Sequence, residues 1–560
     1  MDQIAPSVSA ASRPRHPWEV HYPPGLDWGM TIESGAVPSL LDRAVAAWPQ
    51  RPALEYRDRV LTYAELGRLV DRMAAGLLRD GIGPGRTVAL FLPNTPWHTV
   101  AFFAALKAGA RLVHMSPLDA PRELAHKMMD SGADVVISTD LGGLGAGAAK
   151  FVDMGLAKLL LVGEDAYWGG APGPVPPYGE NIRGLETILT DDRPVAWPDI
   201  DPEQVALLQY TGGTTGMPKG AKLSHRNLMA ATAIFGAWRD ESMSEPGTQK
   251  TIAVLPMFHV YALGVILLLS IAEGSEILLR PRFDPTTTLR DIAEKRATGF
   301  PAVPTMLIAL LSEPGAADCD FSSLQFVGSG GAPMPHEVGQ RIETLFKRPL
   351  RMGWGMTETA AAGTRIPGNV EHRPGLIGVP LPNMELRVVS LTDPNIVLGA
   401  NEVGELAVRG PNVFSGYWNQ DELNAKSFVH GFFLTGDIGT MDETGLFTIV
   451  DRKKRMIISG GFNVYPNMIE NAIYEHPDVE EVIVIGIPDE YRGEAAKAFI
   501  KMKSDRDPLT IDALREFLKD RLGKHELPAA LEVREHLPKT PVGKLQPTVL
   551  VEEERARAKA

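Results

Sequence analysis

Hydrophobic and polar positions along most of this chain alternate between the helical and the strand period, which predicts the two kinds of element in regular succession. In the segment LTYAEL, Thr62 and Glu65 stand at the spacing of a capping box, and an amphipathic helix is predicted from there to Asp80. The apolar stretch at 86–92 predicts a strand. The order of helix, glycine and strand recurs at 99–115, in the helix through Met129 with the strand at 134–138, and at 293–303. Strands alternating with helices of this length favour an α/β fold of parallel-rich sheets flanked by helices.

The pattern changes near the C-terminal end of the chain. Short strands predicted at 479–487 and 497–503 accompany two helices, one opening at Pro466 and one running from Thr510 to Gly523. These elements predict a smaller α+β unit that packs its own core. We therefore expect two domains, at 1–453 and 454–560.

The composition is that of an ordinary globular protein, with 44% hydrophobic and 22% charged residues among 560. This length exceeds the roughly 250 to 300 residues at which a single core stops growing, which agrees with several packed units. The formal net charge of -13 argues against a nucleic-acid partner, because binding to phosphate backbones needs clustered positive charge. Cys319 is the single cysteine, so an intramolecular disulfide, a zinc site of several thiolates and a CxxC redox pair are excluded.

No targeting segment is recognisable in the sequence. The N-terminus lacks the apolar core of a signal peptide. The most apolar run, at 260–272, is shorter than the roughly 20 residues that cross a bilayer. We expect this run to form a buried helix and the protein to be cytoplasmic, and peripheral membrane contact stays open.

The most informative stretch is YTGGTTGMPKG at 210–220. Its glycines allow backbone N–H groups to come close to an anion, because a Cβ atom would obstruct that approach. Threonine hydroxyls and a lysine add hydrogen-bond donors and positive charge, so we expect a loop that binds a polyphosphate. The P-loop signature GxxxxGK[ST] is absent, and a mobile surface loop is the alternative. The residues concerned are Gly212, Gly213, Gly216, Gly220, Thr211, Thr214, Thr215 and Lys219.

This loop and five later stretches of the sequence together give the chain a resemblance to the adenylate-forming superfamily. That superfamily includes acyl-CoA synthetases, peptide-synthetase adenylation domains and luciferases. The subgroup that the chain resembles most is the bacterial long-chain fatty acid CoA ligases. The resemblance covers nearly the whole chain. The matching stretches GSGGAP, GWGMTET, TGD, DRKKRMIISGGFNVY and PKTPVGKL follow in the family's order at 328–333, 353–359, 435–437, 451–465 and 538–545.

The resemblance implies an AMP-forming acid–thiol ligase that uses ATP, Mg²⁺ and coenzyme A. A carboxylate would attack the α-phosphorus of ATP to give an acyl-adenylate and pyrophosphate, and the thiol of coenzyme A would then displace AMP. The expected partners are therefore small molecules, and a homodimer is left open. A fatty acyl-AMP ligase that loads a carrier protein is an alternative, although the chain ends 16 residues after Lys544, which favours free coenzyme A. A non-catalytic nucleotide sensor is the alternative from another class, and it predicts loss of catalytic groups that this chain retains.

The resemblance implies a nucleotide site built from several of these stretches. Asp437 would chelate the ribose hydroxyls, with Arg452 as a second ribose or phosphate contact, and a structural aspartate at a turn is the alternative. Glu358 and Thr211 would hold Mg²⁺ beside the phosphates, while Thr357 would donate to the α-phosphate. The other implied ATP and AMP contacts are Gly330, Gly331, Ala332, Pro333, Trp354, Gly355, Met356 and Ile449.

Two positions depart from the commonest family pattern. Gly213 stands where serine is usual, a feature that bacterial long-chain ligases share. Trp354 replaces the usual tyrosine beside the adenine. Its ring keeps a stacking face, but its indole N–H can only donate a hydrogen bond.

The C-terminal motifs imply a catalytic lysine and a moving domain. Lys544 would bridge the substrate carboxylate and the α-phosphate, and acetylation would cancel its charge and stop adenylation. A solvated surface lysine is the alternative. The C-terminal domain would pivot at Lys454 between the two half-reactions, and the loop Ser459, Gly460 and Gly461 would then help to form the pantetheine tunnel.

The segment PMFHVYALG at 256–264 matches the part of the family that lies beside the substrate carboxylate. His259 is therefore a candidate wall or gate residue with a catalytic role, and a core histidine is the alternative. Tyr261 and Leu263 occupy the neighbourhood where a bulky aromatic gates the acyl tunnel in long-chain relatives. Small residues leave room for an apolar chain, and no cation stands out to bind a second acidic end. We expect a medium- or long-chain fatty acid, with a dicarboxylate or an aryl acid as alternatives. The predicted acyl pocket comprises His259, Val260, Leu263, Gly264 and Gly328.

Overall fold

The computed structural model describes residues 15–192, 196–211, 217–238, 245, 247–332, 334, 336–459, 462–489, 492–504, 506–539 and 545–557. Within these ranges the strands form four sheets. Two sheets are parallel-rich, and two are mainly antiparallel.

The two parallel-rich sheets make up the first part of the chain. The first sheet has the order Leu350–Met352, Phe326–Ser329, Gly299–Ala302, Lys250–Ala253, Glu276–Leu279, Pro52–Tyr56 and Arg59–Thr62, with an antiparallel pair at the last position. The second sheet has the order Ile182–Gly184, Leu159–Gly163, Val135–Thr139, Thr87–Leu90, Arg111–His114, Val205–Thr211 and Lys219–Ser224, again with a final antiparallel pair.

Two further sheets complete the fold. The third sheet has the order Thr364–Arg365, Leu376–Pro380, Phe447–Arg452, Phe432–Met441, Gly404–Arg409 and Glu385–Val389, and Phe428–Val429 pairs with Phe432–Met441. The C-terminal sheet has the order Phe462–Val464, Ile457–Ser459, Gly493–Met502 and Val479–Asp489, and Ala530–Val533 pairs parallel to Gly493–Met502.

Helices pack against the sheets. One of them, Pro96–Lys107, buries nearly all of its side chains and packs against Tyr63–Arg79, as expected of a helix that is apolar on every side. The α-helices are Pro38–Ala47, Tyr63–Arg79, Pro96–Lys107, Pro121–Ser131, Leu144–Asp153, His225–Ala237, Val260–Ala262, Leu269–Glu273, Pro285–Ala293, Pro304–Leu311, His336–Phe346, Asp421–Ser427, Pro466–Tyr474, Ile511–Leu518 and Pro547–Arg557.

The predicted α/β class is confirmed, and the predicted capping box and buried apolar helix are both present. Thr62 and Glu65 form the capping box, with the Thr62 amide donating to Glu65 Oε2 at 2.8 Å. The apolar run forms a buried helix at 260–273 whose middle, Leu263–Leu268, is a π-helix, a feature that is frequent at functional sites. Across the described residues, no helix is long and apolar enough to span a membrane.

The C-terminal unit has its own core and contacts the third sheet. Its helix Pro466–Tyr474 packs on the strand Val479–Asp489. The Asn467 amide donates to Asp451 Oδ2 at 2.6 Å, which attaches this unit to the strand Phe447–Arg452. The helix predicted to close at Gly523 ends at Leu518 instead. The domain boundary at 453/454 stays a prediction.

Candidate active site

A cleft of about 2020 Å³ opens where the four sheets meet. Its wall includes Tyr210 of the second sheet, Ser329 of the first, Asp437 of the third and Ile485 of the C-terminal sheet. Sequence stretches that lie hundreds of positions apart therefore face one space. The predicted site residues on its wall are Thr211, His259, Val260, Gly330, Gly331, Ala332, Trp354, Gly355, Met356, Thr357, Glu358, Asp437, Ile449, Arg452 and Lys454.

The remaining predicted site residues fall into two groups. Lys219, Leu263, Gly264, Gly328 and Ser459 are described but lie behind or beside the wall. Gly212, Gly213, Thr214, Thr215, Gly216, Pro333, Gly460, Gly461 and Lys544 lie outside the described residues.

The predicted phosphate loop connects two paired strands. Thr211 lies opposite Lys219 in the antiparallel ladder, so the two strands on either side of the predicted loop are paired. The Tyr210 hydroxyl donates to Asp130 Oδ2 at 2.6 Å and fixes the first strand. Lys219 Nζ lies 5.6 Å from the centre of the Tyr417 ring, an arrangement that stabilises its charge.

Glu358 lies in the short 3-10 turn Thr357–Thr359, and its carboxylate is buried. The Tyr417 hydroxyl donates to Glu358 Oε1 at 2.6 Å, and the Phe414 amide donates to the Glu358 carbonyl at 2.8 Å. Burial raises the pKa of Glu358, and the hydrogen bond from Tyr417 acts in the opposite direction. Tyr417 thus contacts both the predicted metal ligand and the phosphate-loop lysine, a link that we did not predict.

The chain turns sharply directly after Glu358. Ala360 and Ala361 both have left-handed backbones, with φ of 49° and 70°, a conformation that costs an L-residue about 1–2 kcal/mol. The buried Asn412 bridges this turn, since its Nδ2 donates to the Thr359 and Ala362 carbonyls at 2.7 and 2.8 Å. Asn412 therefore fixes the turn that carries Glu358. No local signal in the sequence relates the two.

Asp437 occupies the centre of the predicted ribose site and is almost fully buried. The ladder places it opposite Arg452, whose Nε lies 2.5 Å from Asp437 Oδ1. Trp354 Nε1 donates to Asp437 Oδ2 at 2.8 Å. Burial raises the pKa of Asp437, while the charge of Arg452 and the indole hydrogen bond oppose that effect. The donor-only indole thus has an acceptor in the same site.

The segment around His259 forms the other half of the cleft. His259 Nδ1 accepts from the Tyr261 amide at 3.2 Å and caps the helix at 260–273. Of the two candidate gate residues, Tyr261 lies on the wall, whereas Leu263 faces the core. A Cβ atom added to Gly328 would stand 2.8 Å from the Phe326 ring, so a larger residue there would require the ring to shift, and Gly328 does not itself line the wall.

Several arginines that we did not single out also lie on the wall, namely Arg341, Arg351, Arg365, Arg455 and Arg555. Arg351 belongs to the edge strand of the first sheet, and Arg365 belongs to the edge strand of the third. Both are half-buried. Their approach depends on how the edges of two separate sheets meet, which no local pattern encodes.

The C-terminal unit also faces the cleft. Lys454 lies on its wall, next to Lys453, which pairs with Glu405 at 2.7 Å. Ser459 is buried within the C-terminal sheet and pairs with Phe462. Lys539 and Leu545, the described residues on either side of the predicted catalytic lysine, form a backbone bridge, and both lie on the wall.

Comparison with known proteins gives consistent matches along the chain. The model of the AMP-binding enzyme family matches residues 41–418, and that of the AMP-binding enzyme C-terminal domain matches 468–544. A long-chain-fatty-acid–CoA ligase of Bacillus subtilis (strain 168) is 35% identical over 96% of this chain and 98% of its own. A feruloyl-CoA synthase of Amycolatopsis sp is 35% identical over 90% and 98%. The ATP-bound crystal structure of MatB from Rhodopseudomonas palustris superposes with a TM-score of 0.82 at 26% identity, over 93% and 99%.

The chain therefore belongs to the AMP-binding enzyme family. It is an adenylate-forming acyl-CoA ligase, that is, an AMP-forming acid–thiol ligase. The adenylate-forming resemblance of the sequence is confirmed, and the roles of individual residues stay predictions.

Proposed function

We propose that this enzyme joins medium- or long-chain aliphatic carboxylic acids to coenzyme A. The observation that carries this proposal is the continuity of the cleft. The wall that includes Trp354, Asp437 and Arg452 runs without interruption into one lined by Tyr261 and Val265 on the helix at 260–273. An apolar chain in that second part would place its carboxylate beside the nucleotide phosphates. The Bacillus subtilis relative bears the name of a long-chain ligase.

In the first half-reaction a carboxylate oxygen bonds to the α-phosphorus of ATP, and the bond to the β-phosphate oxygen breaks. Pyrophosphate leaves, and the acyl-adenylate remains. Asp437 and Arg452 would hold the ribose, and Trp354 would stack on the adenine. Lys544 would neutralise the charge that builds between the carboxylate and the α-phosphate. The described residues on either side of it, Lys539 and Leu545, form a backbone bridge and both line the cleft.

The residues around Glu358 fit a magnesium ion bound with ATP. Mg²⁺ in such sites takes one or two carboxylates together with substrate phosphates. Glu358 offers one buried carboxylate whose Oε1 already accepts from Tyr417, and Thr211 ends the neighbouring strand. No cluster of three acidic, histidine or cysteine side chains that could hold a metal by itself occurs among the described residues. When bound, the ion would supply charge neutralisation for the departing pyrophosphate.

In the second half-reaction the sulfur of coenzyme A bonds to the acyl carbon, and the bond to the AMP oxygen breaks. A rotation of residues 454–560 about Lys454 would exchange the Lys544 loop for the loop at 459–461. An aryl acid is the second candidate substrate, since the relative named feruloyl-CoA synthase is equally identical to this chain.

The proposal is tested by measuring AMP release with a panel of acids, with and without coenzyme A. The panel contains saturated monocarboxylates, dicarboxylates of equal length and ferulate. We expect AMP release that requires coenzyme A and is fastest with aliphatic acids. Preference for ferulate would overturn the aliphatic assignment, and no AMP from any acid would overturn the proposed function as a whole.

A further inference from the structure

Two polar side chains of the second sheet meet at the carboxyl ends of neighbouring strands, beside the start of the helix at 260–273. The ladder pairs Val113 with Leu208 in two parallel strands, so the next residues, His114 and Gln209, lie side by side. Both side chains are buried, and both contribute to the wall of the cleft. The wall therefore includes two buried polar groups that lie outside the predicted motifs.

The side-chain amide of Gln209 has a partner on each side. Gln209 Nε2 donates to the Phe258 carbonyl at 2.9 Å, and Gln209 Oε1 lies 3.0 Å from His114 Nδ1. A backbone carbonyl can only accept, so Nε2 must face Phe258, and Oε1 must accept from His114. Burial lowers the pKa of His114 to about 4, so its ring is neutral at neutral pH and carries its proton on Nδ1. The hydrogen bonds therefore run in one direction, from His114 through Gln209 to Phe258.

The ring of His114 is itself held by packing. The rings of His98 and Phe102, both on the helix Pro96–Lys107, have their centres 5.2 and 5.9 Å from the centre of the His114 ring. All three side chains are buried. A close-packed interior leaves a ring little freedom to change its rotamer, so Nδ1 of His114 stays directed at Gln209.

The Phe258 carbonyl belongs to the peptide unit that leads into His259. The amide of the same unit, on His259, donates to the Pro256 carbonyl at 2.9 Å. Because a peptide unit is planar, hydrogen bonds to its carbonyl and from its amide together fix its orientation. His259 caps the helix at 260–273 and lies on the wall of the cleft. The peptide held by Gln209 therefore sets the position from which the His259 side chain projects.

Gln209 also lies close to the predicted phosphate loop along the chain. Its strand, Val205–Thr211, ends two positions later, where that loop begins. One strand therefore leads to the loop and also holds the peptide before His259. An acid bound beside His259 would react only if its carboxylate came within about 3–3.5 Å of the α-phosphorus. A shared strand keeps the two sides of this reaction in register.

We propose that Gln209, oriented by His114, is a positioning residue for the acid substrate. It fixes the peptide before His259, and it does so from the strand that leads to the phosphate loop. This inference rests on the proposed function, because it requires the acid to bind beside His259, and it applies to aliphatic and aryl acids alike. Neither Gln209 nor His114 bonds to the substrate, since each acts through the next group along the chain of hydrogen bonds.

The test measures the KM for the acid and the KM for ATP separately, by AMP release with coenzyme A and the acid that is turned over fastest in the panel. Gln209→Met keeps an unbranched side chain of similar length and removes both hydrogen bonds. We expect the KM for the acid to rise roughly 3-fold to 10-fold, the effect of losing one hydrogen bond. The KM for ATP should change less than about twofold.

Gln204→Met is the matched control. Gln204 Nε2 donates to the Gly109 carbonyl at 3.2 Å, and neither residue lines the cleft. This variant makes the same chemical change five positions earlier in the chain. It should change neither KM.

A pair of variants at His114 tests the same chain of hydrogen bonds without altering Gln209. His114→Asn places an amide where Nδ1 stood, so it can still donate to Gln209, whereas the amide of His114→Gln stands near the position of Nε2. We expect the KM for the acid to stay near normal in His114→Asn and to rise in His114→Gln. Combining His114→Gln with Gln209→Met should raise this KM no further than Gln209→Met alone, because His114 acts through Gln209.

The outcomes separate positioning from a general structural effect. A smaller folded fraction would lower kcat without changing either KM, so that result in Gln209→Met would overturn the positioning role, as would an equal rise of both KM values. If Gln209→Met does not fold, the His114 pair decides: equal KM values for the acid in His114→Asn and His114→Gln would overturn the inference. Absence of AMP release by the unmodified enzyme with any acid would instead overturn the proposed function.

Discussion

Trp354 Nε1 donates a hydrogen bond to Asp437 Oδ2 at 2.8 Å. The side chain that we expect to stack on the adenine thus also holds the carboxylate that we expect to bind the ribose. A phenol at this position could donate in the same way only if its hydroxyl reached the same oxygen. The substitution of tryptophan in the family motif is therefore tied to the nucleotide site by a direct contact.

Trp354→Phe should raise the KM for ATP roughly 3-fold to 10-fold, the effect of losing one hydrogen bond to a charged group. The phenyl ring keeps a stacking face, so kcat should change less than KM. Steady-state kinetics of AMP release at saturating acid measures both constants. The control is Trp28→Phe, which removes an indole hydrogen bond to the Met384 carbonyl at 2.9 Å outside the cleft. An equal rise of KM in both variants would contradict the prediction.

Asp437→Asn should stabilise the free enzyme at neutral pH while raising the KM for ATP. Burial raises the pKa of Asp437 in the folded protein. A carboxyl whose pKa is higher folded than unfolded loses stability as the pH rises above its unfolded value of about 4. The neutral amide lacks this penalty, so its Tm without nucleotide should exceed that of the unmodified enzyme, and the gap should widen as the pH rises above about 4.

The control for that experiment is Asp442→Asn, for which the opposite sign is expected. Partial burial acts to raise the pKa of Asp442, but hydrogen bonds from Thr444, Leu446 and Arg373 outweigh it and lower the pKa. Removing this carboxylate should therefore lower the Tm at pH 7. A lower Tm for both variants would show that the interactions of Asp437 with Arg452 and Trp354 outweigh the cost of burying its carboxylate.

Tyr417→Phe should reduce adenylation roughly tenfold, the cost of one hydrogen bond to a charged group. The phenyl ring still lies against Lys219, so only the contact with Glu358 is lost. Pyrophosphate exchange at a series of Mg²⁺ concentrations should show a higher Mg²⁺ requirement. Tyr178→Phe is a matched control, because Tyr178 donates to Glu164 Oε1 at 3.2 Å on the surface. The same loss in both variants, or none in Tyr417→Phe, would contradict a positioning role for Tyr417.

Asn412→Ala should lower the free energy of unfolding by about 1–3 kcal/mol, since it removes the donor to the buried Ala362 carbonyl and one of the two donors to the Thr359 carbonyl, which keeps the Ala362 amide at 3.0 Å. The turn at Ala360 and Ala361 would lose its bridge, so adenylation should fall as well. Denaturant unfolding measures the first effect, and pyrophosphate exchange measures the second. Ala361→Gly relieves the left-handed backbone at φ 70° and should partly restore stability in the double variant. No recovery would indicate that the backbone strain is small.

Lys544→Ala should abolish adenylation while thioester formation from supplied acyl-AMP continues, because in the proposed mechanism its ammonium would act in the first half-reaction only. Pyrophosphate exchange and direct thioester formation separate the two steps. Lys524→Ala removes an exposed lysine of the C-terminal unit and should change neither rate. Equal loss of both steps in Lys544→Ala would contradict the assigned role, and acetylation of Lys544 should reproduce the alanine phenotype.

Much of the fold could be predicted from local signals. The capping box at Thr62 and Glu65 and the glycine that follows a helix each depend on neighbours in sequence, so the pattern fixes them. The third sheet was not predicted, although the TGD motif lies within it. Its strands pair antiparallel across long connections, and such pairings depend on contacts that periodicity does not encode.

The candidate site also combines residues that the sequence motifs predicted with residues that only the structure revealed. The motifs placed Glu358, Asp437 and Arg452 in one nucleotide site, and all three lie on the wall of one cleft. Tyr417 and Asn412 were missed, because each acts on a turn more than fifty positions earlier in the chain. Arg365 was missed because its approach to the cleft depends on how the edges of two separate sheets meet.

The sequence by itself determined the chemistry of the protein, since the adenylate-forming motifs are short, their residue types are specific and their order is fixed along the chain. Only the tertiary structure decided how those residues are held and what else faces the substrate. The contact of Trp354 with Asp437 and the entry of Arg365 beside Phe326 arise where separate sheets meet. Contacts between separate sheets are set by the packing of whole helices and strands, to which residues throughout the chain contribute.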